Sequence, residues 1–278
     1  MHTNSLNNFL LKDKVIIVTG GAGLLGRMHA EAILDAEGIP VILDVDDNKI
    51  SESKKVIEKK YSKKIFALNC DITNKDSVKI CLDKIIKLTN RLDGLINNAA
   101  IDPKVGNSLN SQNLNRFEDF SLDIWLNELN VGLTGAFICS QIFGEYMATQ
   151  KKGVIVNISS DLSIISPDQR LYEKEGVAEN LQPVKPVTYS VIKTGLIGLT
   201  KYLATYWAKK GIRVNAISPS GVFNNQDSVF VERIIKSIPL GRMANKDEYK
   251  SSLIYLLSDA SSYMTGFNLV VDGGRTSW

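Results

Sequence analysis

Histidine and cysteine are scarce in this chain of 278 residues. His2 and His29 are its two histidines, and Cys70, Cys81 and Cys139 form no closely spaced pair. A His/Cys metal cluster needs several such ligands at short spacing, and a serine–histidine–aspartate triad needs a well-placed histidine. The sequence therefore supports neither site, so no metal is predicted, and its few thiols favour a reducing, cytoplasmic compartment.

Long apolar runs and a strong charge of one sign are missing as well. Lys plus Arg number 33 and Asp plus Glu 30, and the small excess is scattered along the chain. This balance predicts neither nucleic acid nor an anionic membrane as a partner. No stretch of about 18 uncharged apolar residues occurs, and residues 1–14 lack the apolar core of a secretion signal. We therefore expect a soluble protein without a membrane span.

What the sequence does contain is an alternation of short β-branched runs and longer stretches with helical periodicity. The candidate strands lie at 15–18, 41–45, 65–68, 94–96, 154–158, 213–217 and 268–271. The candidate helices lie at 24–37, 50–61, 77–89, 122–149, 188–210, 229–237 and 246–258. This rhythm predicts an α/β fold, a Rossmann-like doubly wound sheet of seven parallel strands with helices on both faces. We expect one domain over residues 1–278.

A glycine-rich turn follows the first candidate strand. Gly20, Gly23 and Gly26 stand between this strand and an amphipathic helix that opens on Leu24 and Leu25. Without Cβ atoms the backbone can approach a pyrophosphate, and the helix N-terminus offers unpaired amides and a positive dipole end to that anion. An ordinary tight connection is the alternative, but the position between a strand and a helix favours dinucleotide binding.

An acidic residue, Asp44, ends the second candidate strand, 18 residues after Gly26. This is near the spacing of about 20 at which a carboxylate accepts hydrogen bonds from the adenosine ribose. A 2′-phosphate would face Asp44, Asp46 and Asp47 with no cation before Lys49, so the repulsion would be uncompensated. We therefore predict NAD rather than NADP as the cofactor, unless Asp44 only caps the turn into the next helix, which would leave the cofactor open.

Tyr189 and Lys193 stand four residues apart in a predicted helix, so their side chains share one face. A phenol with a pKa of about 10 is a poor acid or base at neutral pH, and a fixed cation beside it favours the phenolate. Lowering such a pKa by about 3 units takes about 4 kcal/mol of differential stabilisation. A Tyr and a Lys on one helix face more often form an amphipathic contact. The pair therefore indicates a catalytic site only if the neighbouring motifs do so as well.

With these features together, the chain resembles the short-chain dehydrogenase/reductase family, of the compact single-domain type, over residues 12–274. Further segments match the family's motifs in order: Cys70-Asp-Ile-Thr73, Asn97-Asn-Ala-Ala100, Val156-Asn-Ile-Ser-Ser160, Gly211-Ile-Arg-Val-Asn-Ala-Ile-Ser-Pro219, Tyr263-Met-Thr-Gly266 and Val271-Asp-Gly-Gly274. The run 218–226 and the ending 271–278 are also similar to reductases of bacterial surface-glycan and flagellin-sugar pathways. The resemblance implies hydride transfer between a nicotinamide and a secondary alcohol or ketone, with sugars and sugar phosphates among the candidate substrates.

The resemblance also implies roles for individual residues. Ser160 would hydrogen-bond the substrate carbonyl, Tyr189 would donate or remove the proton, and Lys193 would hold the nicotinamide ribose while it favours the phenolate. The residues implied for NAD binding are Gly20, Gly23, Leu24, Leu25, Asp44, Asp71, Ile72, Asn98, Ala99, Tyr189, Lys193, Pro219 and Val222. Among these, Asp71 and Ile72 would flank the adenine and Val222 would touch the nicotinamide amide. The alternative for Ser160 is an ordinary turn serine at the end of a strand.

The chain departs from the family pattern in three places. Leu24 stands where compact members have their second glycine, a spacing typical of the extended branch that modifies nucleotide sugars. Gly132 stands where the family has an Asn that helps to hold a water on the Lys. Asn130, two residues earlier, lies about 200° away around a helix and cannot replace it. Either the proton relay is rewired or Gly132 supplies the same kink through its backbone. The third departure is an insertion at 163–187, just before Tyr189.

The insertion at 163–187 and an enlarged loop at 101–121 are both predicted to be long loops beside the substrate. Their basic and aromatic residues include Arg170, Tyr172, Lys174 and Lys185 in the first and Lys104 and Arg116 in the second. Such side chains predict a substrate larger or more anionic than a simple alcohol, for example a phosphorylated or nucleotide-linked sugar. Residues 220–240 are expected to form a lid.

The family resemblance further implies a homodimer or homotetramer that pairs through the long fourth and fifth helices. Two other functions stay open. An extended-type nucleotide-sugar epimerase or dehydratase would retain its NAD and show no net cofactor turnover. A non-catalytic NADH-binding protein would not depend on Tyr189.

Overall fold

The structure, a computed structural model of the chain, describes residues 5–101, 105 and 115–278. Its strands are β1 Val15–Thr19, β2 Ile39–Asp44, β3 Phe66–Asn69, β4 Gly94–Asn97, β5 Gly153–Ile158, β6 Ile212–Pro219 and β7 Asn268–Val271. They form one sheet in the order β3-β2-β1-β4-β5-β6-β7, and every pair of neighbours is parallel. The predicted doubly wound sheet of seven parallel strands is therefore confirmed.

Helices cover both faces of this sheet. They are α1 Leu24–Asp35, α2 Asp47–Tyr61, α3 Lys75–Thr89, α4 Leu122–Leu129, α5 Gly135–Thr149, α6 Val187–Trp207, α7 Ser228–Ile235 and α8 Lys250–Leu257. The predicted helix at 122–149 is one continuous stretch, in which the π-helical residues Asn130–Thr134 join α4 to α5. α8 begins four residues later than predicted, because residues 245–249 form turns in which the Asn245 N–H donates to the Glu248 carboxylate at 2.7 Å.

The side chains of β1 alternate between two hydrophobic cores, one on each face of the sheet. Val15 and Ile17 belong to the core under α3 and α5, and Ile16 and Val18 belong to the core under α1 and α8. Full burial of one such side chain is worth about 1.5–3 kcal/mol. The central strands are thus fixed from both sides, and the loops at their carboxyl ends start from a rigid edge, where ligands bind in open α/β sheets.

The two long connections differ in how far the structure describes them. Most of the loop at 101–121, with Lys104, lies outside the described residues. The insertion at 163–187 lies between β5 and α6 and contains the short turns Gln169–Tyr172 and Glu179–Leu181. In the part of the chain that the structure describes, no helix is long and apolar enough to cross a membrane.

Candidate active site

The glycine turn follows β1 and leads into α1. It lies at the edge of the sheet where β1 and β4 are neighbours and the strand order reverses. Gly20 has a φ of +59°, and a Cβ on it would lie 2.8 Å from the Cα of Ala99. A Cβ on Gly26 would lie 2.2 Å from the carbonyl oxygen of Gly20. Gly23 precedes α1 without a side chain to cap it, so the first amides of the helix are left for a ligand. The turn therefore has the shape of an anion cradle and fits the pyrophosphate of a dinucleotide.

Asp44 ends β2 beside this cradle. The Ala22 N–H donates to Asp44 Oδ2 at 3.1 Å, and the Val45 N–H donates to Oδ1 at 2.9 Å. The helix that follows is capped by a different residue, Asp46, whose carboxylate accepts from two N–H groups in the first turn of α2. Asp44 Oδ1 also accepts from the Asp46 N–H at 3.3 Å, so Asp44 caps the turn that leads into α2 as well as holding the Ala22 N–H of the glycine turn. Its carboxylate is partly exposed.

The other predicted cofactor residues lie at the same edge of the sheet: Leu24 and Leu25 open α1, Asp71 and Ile72 follow β3, Asn98 and Ala99 follow β4, Pro219 ends β6 and Val222 comes shortly after it. Asn98 Nδ2 donates to the carbonyl oxygens of Thr19 at 2.9 Å and Gly20 at 3.2 Å. Thr19 Oγ1 in turn accepts from the N–H groups of Asn98 and Ala99. Thr19, which the sequence motifs do not mark, thus ties the end of β4 to the end of β1.

His29 lies in α1 behind the glycine turn and is 3% exposed. Its Nε2 has no hydrogen-bond partner within the described residues. Burial lowers the pKa of His29 from 6.5 to about 4, against a smaller opposite effect of its hydrogen bond with Asn98. The imidazole is therefore neutral at physiological pH.

Acid should destabilise the fold through His29. Between pH 6.5 and about 4 the imidazole is protonated in the unfolded chain but not in the folded chain. The free energy of unfolding is therefore highest above this range and decreases as the pH falls through it. The slope from this group is about 1.4 kcal/mol per pH unit, and the whole effect is about 3 kcal/mol. Chemical unfolding of the wild type and of His29→Gln, from pH 7 to 4.5, measures it. Equal slopes in the two proteins would contradict the prediction.

Ser160, Tyr189 and Lys193 all lie near the carboxyl end of β5. Ser160 follows this strand and is buried, and α6 carries Tyr189 and Lys193 one turn apart. Lys193 Nζ donates to the carbonyl oxygen of Ile158 at 2.8 Å, and Ser159 Oγ donates to the carbonyl oxygen of Lys193 at 2.7 Å. The Lys193 ammonium lies 5.6 Å from the centre of the Tyr189 ring. These bonds join the end of β5 to α6, the helix that carries Tyr189 and Lys193.

A second ammonium group lies against the Tyr189 ring. It belongs to Lys185 of the insertion, and its Nζ is 4.0 Å from the ring centre. A cation within about 6 Å of an aromatic face is attracted by the ring quadrupole. Next to Tyr189, the buried Thr188 hydroxyl donates to the buried Glu128 carboxylate of α4. The start of α6 is thus held to α4 by a hydrogen bond and to the insertion by a cation–π contact.

Gly132 lies in the π-helical turn and is buried against α6. A Cβ on Gly132 would lie 2.8 Å from Cγ2 of Ile192, so the backbones approach closely here. The Gly135 N–H donates to the Asn130 carbonyl, the i to i+5 pattern of a π-helix. The Asn130 side chain is exposed on the surface. The chain around Gly132 is therefore a π-helical turn that joins α4 to α5.

The insertion packs on α7. Leu171 joins Ile234 in a small buried cluster, and the rings of Tyr172 and Phe230 lie 5.5 Å apart. Arg233 Nη1 of α7 donates to two carbonyl oxygens of the insertion, at 3.1 and 2.6 Å. The insertion and α7 thus form one packed unit beside the candidate site.

Two of the cations predicted to meet an anionic substrate are engaged elsewhere. Arg170 donates to both carboxylate oxygens of Asp168, at 2.9 and 2.8 Å. Arg116 donates to the carbonyl oxygen of Glu179 at 3.0 Å, which links the loop at 101–121 to the insertion. Lys185, in contrast, lies against the ring of Tyr189, a predicted catalytic side chain.

A buried ion pair lies beside Ser160, and the sequence does not indicate it. Asp161 and Arg275 are 2% and 7% exposed, and Arg275 Nη1 donates to Asp161 Oδ2 at 2.8 Å. The partners lie 114 residues apart, so no local spacing indicates the pair. The available signals are weak: an acidic residue directly after the strand-end serine and an arginine directly after the last glycine motif.

Known proteins match almost the whole chain. A family model described as Enoyl-(Acyl carrier protein) reductase matches residues 22–276. Post-translational flagellin modification protein A of Campylobacter coli is 30% identical over 265 residues, which cover 95% of this chain and 99% of that protein. The NAD-dependent glycerol dehydrogenase of Listeria innocua is 30% identical over 274 residues, which cover 97% of this chain and 96% of that protein.

A solved structure adds the same fold with a cofactor bound. The short-chain dehydrogenase from Leptospira borgpetersenii with bound NAD+ is 30% identical, with a TM-score of 0.80 and coverage of 99% of this chain and 97% of that chain. Its match runs through the sheet, the glycine turn and α6 described above. The chain therefore belongs to the short-chain dehydrogenase/reductase family, and it is an oxidoreductase that uses a pyridine nucleotide to act on an alcohol or a ketone.

Proposed function

We propose that this protein moves a hydride between NAD(H) and a secondary hydroxyl or ketone of a polyol or sugar, with Ser160, Tyr189 and Lys193 as its catalytic residues. The observation that carries the proposal is the position of Lys193. Its ammonium is bound to the carbonyl oxygen at the end of β5, and it lies 5.6 Å from the Tyr189 ring. The relative that is an NAD-dependent glycerol dehydrogenase supports a polyol as the substrate.

The proposed chemistry assigns one proton to Tyr189. When bound, the nicotinamide supplies or accepts the hydride. In oxidation the Tyr189 phenolate takes the proton of the substrate hydroxyl, and in reduction the phenol returns a proton to the substrate oxygen. The ammonium groups of Lys193 and Lys185 favour the phenolate. Ser160, whose side chain is buried, binds the substrate oxygen through a hydrogen bond.

Asp44 supports NAD rather than NADP in this proposal. The cations near its end of β2 are already paired: Lys49 Nζ lies 3.3 Å from the Asp46 carboxylate, and Arg27 Nη1 lies 3.4 Å from the Glu52 carboxylate. A 2′-phosphate would have to compete for these cations and would also face the negative charge of Asp44.

Asp44→Ser should therefore reduce the preference for NADH. We expect the wild type to bind NADH at least about tenfold more tightly than NADPH, and the variant to lose about tenfold in NADH affinity, about 1.4 kcal/mol. Fluorescence titration with both cofactors measures the change. Asp47→Ser removes an equal charge three residues later, in the first turn of α2, and should leave the affinity for NADH unchanged. Tighter binding of NADPH than NADH by the wild type would contradict the proposal.

The segment 220–240 is proposed as a lid over the site. Because α7 packs on the insertion, the two would open and close together.

A homodimer or homotetramer is also proposed, and the exposed side chains of Phe137 on α5 and Tyr202 and Tyr206 on α6 support it. The free, buried cysteines support a cytoplasmic location.

A substrate panel tests the proposed function. The purified protein is mixed with NAD+ and glycerol, xylitol, sorbitol or gluconate, and with NADH and the corresponding ketones or their phosphates. The absorbance of NADH then reports turnover in either direction. Net turnover with at least one polyol and its ketone is the expected result. A protein that binds NADH but turns over no pair would contradict the proposal.

A further inference from the structure

The ion pair of Asp161 and Arg275 lies directly beside Ser160. Both side chains are more than nine-tenths buried, and Arg275 Nε has no partner among the described residues. Two charges removed from water lose their hydration, and a buried pair often adds no stability over apolar side chains of similar size. The stability of the fold alone therefore gives little reason for this pair.

The second oxygen of Asp161 binds the proposed catalytic serine. Ser160 Oγ donates to Asp161 Oδ1 at 2.8 Å, and the Leu162 N–H donates to Ser160 Oγ at 3.2 Å. An ionised carboxylate can only accept hydrogen bonds, and the Arg275 guanidinium stays charged. The pair therefore fixes the rotamer of Ser160 and with it the position of its Oγ.

Arg275 reaches this point because the chain turns sharply after β7. Gly274 has a φ of +89°, and a Cβ on it would lie 2.8 Å from Cγ of Pro239. The Asp272 carboxylate accepts from the N–H groups of Gly274 at 2.9 Å and Thr276 at 2.7 Å. The turn that follows, Arg275–Ser277, is thus built to direct the Arg275 guanidinium back towards the end of β5.

We propose that Asp161 and Arg275 are positioning residues for Ser160. Arg275 holds Asp161, and Asp161 holds Ser160 in the rotamer that places its Oγ at the substrate oxygen. When the substrate binds, the hydroxyl hydrogen rotates from Asp161 to the substrate oxygen. The segment after β7 is then part of the active site, although it lies far from Ser160 in sequence. The inference rests on the proposed role of Ser160 as a residue that contacts the substrate.

A double-mutant cycle with Ser160 separates positioning from a general structural effect. The variants are Arg275→Met, Ser160→Ala and both together, assayed with the polyol that the panel selects and by NADH titration. Arg275→Met should lower kcat about 10- to 100-fold, with the Kd for NADH within about twofold of the wild type. In the Ser160→Ala background the same substitution should change kcat by less than about twofold. Arg242→Met removes the exposed Arg242–Glu248 pair and should leave kcat unchanged.

A second variant covers the case in which Arg275→Met does not fold, because that substitution leaves the Asp161 charge buried and unpaired. Asp161→Leu with Arg275→Leu removes both charges and keeps the interior apolar, and it should show the same loss of kcat and the same dependence on Ser160. Equal losses of kcat with and without the Ser160 hydroxyl would overturn the inference, and so would full activity of either Arg275 variant.

A crystal structure of the Asp161→Leu, Arg275→Leu protein gives a readout that does not depend on activity. The expected result is a Ser160 side chain in a different rotamer. An unchanged rotamer would overturn the inference. Absence of turnover with every pair of the panel would contradict the proposed function instead, and the crystal structure would still decide whether the pair positions Ser160.

Discussion

The Tyr189→Phe variant should lose about 1,000-fold in kcat and still bind NADH as the wild type does. The substitution removes only the phenolic oxygen, so the aromatic ring stays in place for the ammonium group of Lys185, 4.0 Å from its centre. The bond between Lys193 and the carbonyl oxygen of Ile158 does not involve that oxygen. Steady-state kinetics with the selected polyol and titration with NADH measure the two quantities.

Tyr202→Phe is the matched control, because it makes the same change on the same helix and keeps the aromatic ring at the face proposed for the oligomer. It should leave kcat unchanged. A Tyr189→Phe variant as active as the wild type would contradict the catalytic role and favour a protein that only binds NADH. A purified wild type that keeps its NAD through turnover, with no net change in free NADH, would instead indicate chemistry of the extended branch.

The fold was predictable because its signals are local. The five residues of β1 are all buried. A strand that is buried on both faces has an almost continuous run of apolar residues, which can be recognised in the sequence. The glycine turn follows β1 directly, and its spacing is a property of one short segment. For the same reason Asp44 and the Tyr189–Lys193 pair can be found without a structure, since each is defined by its distance along the chain from a strand or helix end.

The parts of the site that the sequence does not reveal all depend on contacts between distant segments. Asp161 and Arg275 meet across 114 residues, and Lys185 reaches the Tyr189 ring only because the insertion folds back on the start of α6. Gly132 shows the limit of a motif: its position marks a missing Asn, whereas its tight contact with Ile192 appears only when α6 is packed against the π-helical turn. Such contacts come from tertiary packing, which overrides local preference.

Gly26→Ala should weaken NADH binding by at least about 100-fold, about 2.7 kcal/mol. Gly26 is the third residue of α1, and in a helix an Ala is intrinsically better than a Gly by about 1 kcal/mol. Propensity alone therefore predicts a gain in stability. The new Cβ would, however, lie 2.2 Å from the Gly20 carbonyl oxygen and 2.6 Å from the Cα of Gly21, both of which belong to the backbone of the turn.

Backbone atoms cannot move aside as the end of a flexible side chain can, so the turn itself must shift away from α1. Such overpacking costs about 1–3 kcal/mol of stability, which cancels the gain in propensity and distorts the proposed pyrophosphate cradle. Gly198→Ala is the control, because Gly198 is also helical and a Cβ on it would meet nothing within 4 Å. It should leave NADH binding unchanged and stabilise the fold by up to about 1 kcal/mol. Titration with NADH and chemical unfolding of both variants test this, and equal affinities of the two for NADH would mean that the cofactor does not use the Gly20–Gly26 turn.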